Sequence, residues 1–211
     1  MRSVLRVAAW VAMLAGCATA FGGTGHILLL NGTGPNEFMV DLNPATPESL
    51  VFEIIVDSSY SFEAGVGGFE WQLGLSSAGL AFDAAASEAA TNAMASDPLH
   101  SPAYLLFDDS FGFDAALSAK GIRASDLSES LSGYNPIGLS LGIVVVTVTD
   151  EAAAVGLHLI EDPESFLLLS EDFQTTEPLT IPALSFRILP EPGTLALLAI
   201  GALAAVRRRR K

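Results

Sequence analysis

Cysteine is almost missing from this 211-residue chain, where Cys17 stands alone. No internal disulfide can form, so an exported body of about 170 residues would have to rely on its core, and that length is sufficient for one. Basic residues are nearly as scarce between residues 21 and 189, where Lys120, Arg123 and Arg187 face twenty-three acids. Such a body repels phosphate backbones, which excludes nucleic acid as a partner. It stays soluble and can attract divalent cations, although a solvated acidic surface is the plainer reading. The three histidines, His26, His100 and His158, lie far apart and share no ligand spacing with one another or with Cys17, which argues against zinc. No repeat of the length used by solenoids or propellers is present. No phosphate-binding loop is present either, because Gly65-Val66-Gly67-Gly68 lacks the lysine and the following helix.

What is present begins with an export signal. Arg2 and Arg6 form a positive start, Val7 to Leu14 an apolar stretch, and Ala18-Thr19-Ala20 an A-x-A cleavage site for signal peptidase. Leu14-Ala15-Gly16-Cys17 also resembles a bacterial lipobox, in which Cys17 would be lipidated. The A-x-A site three residues later and an anchor at the other end of the chain favour plain cleavage after Ala20.

From Asn36 to Leu189 the pattern is one of short strands between turn residues. Phe69, Trp71, Leu73 and Leu75 alternate with Gly68, Glu70, Gln72 and Gly74, a period of two that gives one apolar and one polar face. Leu50, Phe52, Ile54 and Val56 make a second such face, and Ile143 to Thr149 is β-branched almost throughout. Further strands are expected at Glu37–Leu42, Leu80–Phe82, Ala103–Phe107, Val155–Ile160, Phe166–Leu169 and Leu184–Leu189. Asn43-Pro44, Pro47, Gly79, Asp97-Pro98, Asn135-Pro136, Pro163 and Pro178 separate them. About nine strands without regular intervening helices predict an all-β, antiparallel sandwich of jelly-roll type. Ala84–Met94 and Asp114–Leu131 are expected as short helices or insertions at its edge. Residues 21–35 read as a flexible leader with a strand at His26–Leu30, and the domain as residues 36–189.

Candidate chemistry is thin. Gly138-Leu139-Ser140-Leu141-Gly142 matches a G-x-S-x-G nucleophile elbow, with Asp150 and His158 following in triad order. The elbow needs a strand-to-helix turn, however, and a β-branched run follows instead. Asp97, Asp108, Asp109 and Asp114 are hard-oxygen ligands of the type calcium takes, yet they do not reproduce a D-x-D-x-D-G loop. No metal set or cofactor is expected on this basis. A calcium-stabilised sandwich stays compatible with the composition. Tyr60 and Tyr104 could serve as sugar platforms, whereas Trp71 lies on the apolar face of its strand and reads as core. Asn31-Gly32-Thr33 fits an N-glycosylation sequon, a match frequent by chance.

The C-terminus holds the most specific pattern. Pro190-Glu191-Pro192 precedes the apolar run Leu195–Val206, and Arg207, Arg208, Arg209, Arg210 and Lys211 follow. These three parts resemble a PEP-CTERM sorting signal of Gram-negative, exopolysaccharide-making bacteria, over residues 190–211. The resemblance implies an exosortase, a membrane cysteine-transpeptidase-like enzyme, as the processing partner near the motif. It also implies transient anchoring in the inner membrane, then the cell surface or an exopolysaccharide and biofilm matrix. The apolar run is about 18 Å long as a helix against a hydrocarbon core of about 30 Å, so it suits a temporary anchor. The basic end belongs on the cytoplasmic side, leaving the body outside. More loosely, Val66-Gly67-Gly68-Phe69-Glu70-Trp71-Gln72-Leu73, Leu80-Ala81-Phe82-Asp83 and the Gly142–Thr149 strand resemble cohesin-like or carbohydrate-binding-module-like sandwiches. The dockerin partner of cohesins is not carried over. The expected protein is a non-enzymatic, exported structural or adhesive sandwich. A carbohydrate-binding module and an envelope serine hydrolase using Ser140 are the alternatives.

Overall fold

A computed structural model describes residues 22–59, 66–75, 77–94, 106–108, 120–126, 137–161, 166–170 and 175–193. The strands among them are β1 (Gly23–Leu29), β2 (Glu37–Val40), β3 (Ser49–Ser58), β4 (Val66–Leu75), β5 (Leu80–Asp83) and β6 (Leu106–Asp108). They continue with β7 (Lys120–Asp126), β8 (Ser140–Val148), β9 (Gly156–Glu161), β10 (Phe166–Ser170), β11 (Thr176–Thr180) and β12 (Leu184–Pro190). Helix α1 (Ala84–Met94) follows β5, and the single turn α2 (Glu151–Ala154) follows β8.

Hydrogen bonds link the strands in the order β2-β12-β9-β4-β10-β11-β1-β3-β8-β5, with β7 pairing to β4 and β6 to β7. This path folds over on itself. Strands β3 and β12 are not neighbours in it, yet the rings of Phe52 and Phe186 meet edge-on at 5.3 Å. Trp71 of β4 likewise crosses to β8, its indole N–H donating to the Leu141 carbonyl at 2.8 Å. Two layers therefore close on one core, and the fold is a β-sandwich. Leu50, Phe52, Ile54 and Val56 of β3 and Phe69, Trp71 and Leu73 of β4 are completely buried, as their period of two predicts.

Strand β8 shows what its β-branched run is for. Leu141, Val144, Val146 and Val148 join the central core, while Ile143 and Val145 are buried apart from it. A strand covered on both faces needs apolar residues without alternation. The second cover is α1, the helix expected over Ala84–Met94. Short β5 pairs only Val145–Val148, so beyond it the edge of β8 would be bare. The Ser87 hydroxyl accepts from the Val145 N–H at 2.9 Å and donates to the Asp83 carbonyl at 2.6 Å. One helical turn later, the Thr91 hydroxyl accepts from the Ile143 N–H at 2.8 Å and donates to the Ile143 carbonyl at 3.3 Å. Two buried hydroxyls on one helix face thus replace the missing strand, and they block edge-to-edge pairing. Asp83 starts the helix by accepting from the Ala86 N–H at 2.9 Å.

The sequence expectation changes at five places. The described residues hold twelve strands, not about nine. Residues 21–35, expected as a leader with a strand at His26–Leu30, contain β1, which begins earlier at Gly23 and whose Ile27 and Leu29 enter the core beside β3. Asp114–Leu131, expected as a short helix or insertion, contains β7, which pairs with β4 over all seven of its residues. Its buried face is carried by Ile122 and Ala124, too few and, at Ala124, too small to stand out among the flanking leucines and alanines. Pro178, expected as a separator, lies inside β11; β1 pairs only with Leu179 and Thr180, so the proline occupies a position where a missing N–H is tolerated. The sandwich is also not wholly antiparallel. The pairs β1–β11 and β2–β12 are parallel, which strands so distant in sequence can adopt because no hairpin joins them.

Candidate functional site

The body runs into its C-terminal motif without a spacer. Phe186 and Ile188 anchor β12 in the core, and the Arg187 N–H donates to the Asn36 carbonyl at 2.8 Å. The strand lies antiparallel to β9 and parallel to β2, and its last residue, Pro190, stands opposite Val40. Proline is acceptable there because its fixed φ suits extended backbone and a strand end needs fewer donors. The Glu191 N–H then extends the ladder by donating to the Val40 carbonyl at 2.9 Å. Glu191, Pro192 and Gly193 are exposed. The motif is therefore divided, with Pro190 and the Glu191 amide held by the sheet and Pro192 clear of it.

Acids gather at this end of the sandwich. The Glu48 carboxylate accepts from the Asp41 N–H at 3.1 Å, and Asp41 in turn accepts from the Asn43 N–H at 3.0 Å. Burial pushes the Glu48 pKa up; the bond from Asp41 opposes this, and repulsion from Glu191, Asp41 and Glu151 adds to it. These acids feel one another without forming a ligand set. Among the described residues, no three histidine, cysteine or carboxylate side chains are grouped to hold a metal. Sequence reasoning did not find Asn36, Val40 or Glu48. Alternation reveals that Glu37–Val40 is a strand, but not which strand lies beside it.

The nucleophile-elbow pattern has a different physical origin. Ser140 opens β8, so strand and not helix follows it directly. Glu53 pairs with Ile143 and Ile55 with Ser140, so β8 carries one extra residue, a β-bulge. Gly142 sits in it at φ 122, a conformation that side chains disfavour. Leu141, inside the bulge, is the residue whose carbonyl Trp71 takes up. The Ser140 hydroxyl accepts from the Gly142 N–H at 3.4 Å. Asp150 caps α2, accepting from the Ala153 N–H at 3.0 Å. His158 is buried, its Nε2–H donating to the Ala154 carbonyl at 2.6 Å and its ring 5.3 Å from that of Phe186. A triad needs an acid on the base and the base on the nucleophile. Here the named bonds of Asp150 and His158 support local structure.

Other sequence candidates resolve individually. Trp71 is core. His26 pairs with Asp57 at 2.7 Å on the surface. Asn31 bridges β1 to β3, its Nδ2 donating to the Ser49 carbonyl at 2.7 Å and its Oδ1 accepting from the Val51 N–H at 2.9 Å. Only the backbone of Asp108 is described, within β6. Cys17, Ala18, Ala20, Tyr60, Gly65, Asp97, His100, Tyr104, Asp109, Asp114 and the run from Leu195 through Arg207–Lys211 lie outside the described residues. Among the described residues, no helix is long and apolar enough to cross a membrane.

Comparison with known proteins agrees with the reading of the tail. Residues 189–211 match the PEP-CTERM protein-sorting motif, so the chain carries that sorting signal. No curated protein is significantly similar to the chain. Its structural neighbours are cohesin modules. The seventh ScaB type I cohesin from Pseudobacteroides cellulosolvens is 12% identical at a TM-score of 0.49, covering 79% of this chain and 93% of that one. The sixth cohesin of scaffoldin B from Acetivibrio cellulolyticus, solved with a Cel5 dockerin, is 11% identical at 0.47, covering 80% and 100%. The cohesin module of a family 33 glycoside hydrolase from Clostridium perfringens is 10% identical at 0.46, covering 82% and 100%.

Proposed function

We propose that the chain is an exported, exosortase-sorted protein of the cell surface or extracellular matrix, whose β-sandwich is structural or adhesive and not enzymatic. The observation that carries this reading is the sorting motif at residues 189–211, joined to a complete sandwich by β12. An acidic, soluble body suits a life outside the cell, and a short apolar tail suits temporary attachment. The bonding of Asp150 and His158 favours a non-enzymatic body over a serine hydrolase. Exopolysaccharide is the proposed surrounding, with no particular sugar implied.

The test is truncation. Removing residues 192–211 leaves the Glu191–Val40 bond in place, so the sandwich should stay folded while the protein passes to the culture medium. Surface retention equal to that of the full chain would refute the sorting role.

A further inference from the structure

The divided motif bears on where the tail is removed. We propose that processing cuts on the C-terminal side of Glu191, so that the mature protein keeps Pro190 and Glu191 as the end of its last strand pairing. The proposal rests on the reading of the tail as a sorting signal that an enzyme removes.

A cleaving enzyme must free the chain around the bond it attacks from its partners in the sheet. The Leu189–Pro190 bond lies inside β12, between residues paired to Met39 and Val40. The Pro190–Glu191 bond lies between the Pro190–Val40 pairing and the 2.9 Å bond from the Glu191 N–H to Val40. Reaching either requires the end of β12 to open, and that strand is fastened by fully buried Ile188 and nearly buried Phe186. Openings of this kind are rare excursions, set by the local stability of the packed strand. Beyond Glu191 the strand pairing ends: Pro192 and Gly193 are helical and both exposed, and the first residues of a helix have backbone N–H groups without a partner in the helix. A side-chain carbon placed on Gly193 would meet nothing within 4 Å outside its own helical backbone, so the side of the Pro192–Gly193 bond facing away from the body is open. That is also the first exposed bond whose nitrogen is not a proline's. In the cut, the carbonyl carbon on the body side passes to a nucleophile, water or an amine. The nitrogen leaves with the tail as an amine, carrying the proton the nucleophile gave up.

The experiment is intact and peptide mass spectrometry of the mature protein, recovered from the surface or medium of cells that process it. The expected C-terminal peptide retains Glu191, and a chain ending at Pro192 is the leading form. A mature chain ending at Pro190 or upstream would overturn the inference while leaving the sorting role standing. Recovery of the chain with residues 194–211 still attached would overturn both. Amide exchange on the full chain adds a separate readout. Protection of the Glu191 amide is expected, and exchange at the rate of an unstructured peptide would remove the structural basis of the inference.

Discussion

Thr91→Val is a direct measure of how α1 covers the edge of β8. Valine matches threonine closely in shape and in helix propensity, so the helix itself is little affected. What disappears is the hydroxyl that accepts from the Ile143 N–H at 2.8 Å and donates to its carbonyl at 3.3 Å. Thr91 and Ile143 are each 1% exposed, so water cannot take the hydroxyl's place. Leaving a buried N–H unpaired costs about 1–3 kcal/mol, and the longer bond to the carbonyl adds little. The new buried methyl offsets up to about 1 kcal/mol. A net loss of about 1–2 kcal/mol should lower Tm by about 2–8 °C in a domain of this size. Urea titration and thermal melting followed by far-UV circular dichroism would read it. A Tm within a degree of the unsubstituted protein would refute the idea that the Thr91 hydroxyl serves as a ladder partner. Ser87→Ala is a less clean variant, because alanine's helix propensity compensates part of the same kind of loss.

Glu48→Gln should stabilise the protein near neutral pH and flatten its pH dependence in thermal melts. The folded pKa of Glu48 is raised by burial and by neighbouring acids, so its contribution is fully present below the ordinary glutamate range and fades as pH rises through the raised value. A variant less stable than the original at neutral pH would contradict this. Trp71→Phe removes the bond to Leu141 while keeping an aromatic ring, and should cost about 1–3 kcal/mol in denaturant titration. A cost near zero would mean that the bulge carbonyl finds another donor. Gly79→Ala combines φ 79 with a side-chain carbon 2.5 Å from the Asp150 carbonyl oxygen and 2.7 Å from the Ala154 nitrogen. A loss above about 2 kcal/mol is expected, and a neutral result would mean that the loop between β4 and β5 shifts freely.

Most of the sandwich was legible because one-face burial leaves a period of two. Leu50–Val56 and Phe69–Leu75 were found by it and are core. The period fails where burial is two-sided or where the buried residues are small. Strand β8 lacks alternation because α1 covers its outer face, yet its β-branched run still identified it. Strand β7 escaped because Ala124, the partner of Ile122 on its buried face, carries little hydrophobic signal. Strand β11 escaped because Pro178 normally ends a strand, and only knowledge of its neighbours shows that the proline is tolerated. The sorting motif was readable residue by residue, because an enzyme that recognises sequence requires fixed residues. Its attachment to Val40 was not, since pairing between residues so far apart leaves no mark on either segment alone. The G-x-S-x-G match is the instructive reverse case, in which glycine spacing set by a bulge imitates spacing set by catalysis.

The position of β12 has a consequence for the order in which the protein is completed. A chain delivered with its N-terminus first presents every other described strand before this one. Until β12 arrives, Phe52 and His158 lack the Phe186 ring beside them, and β2 lacks the strand it pairs with. The end of the motif and the tail come next. The sandwich can therefore become fully stable only once the sorting tail is next to emerge, so arrival of the tail and closure of the core are nearly one event in time.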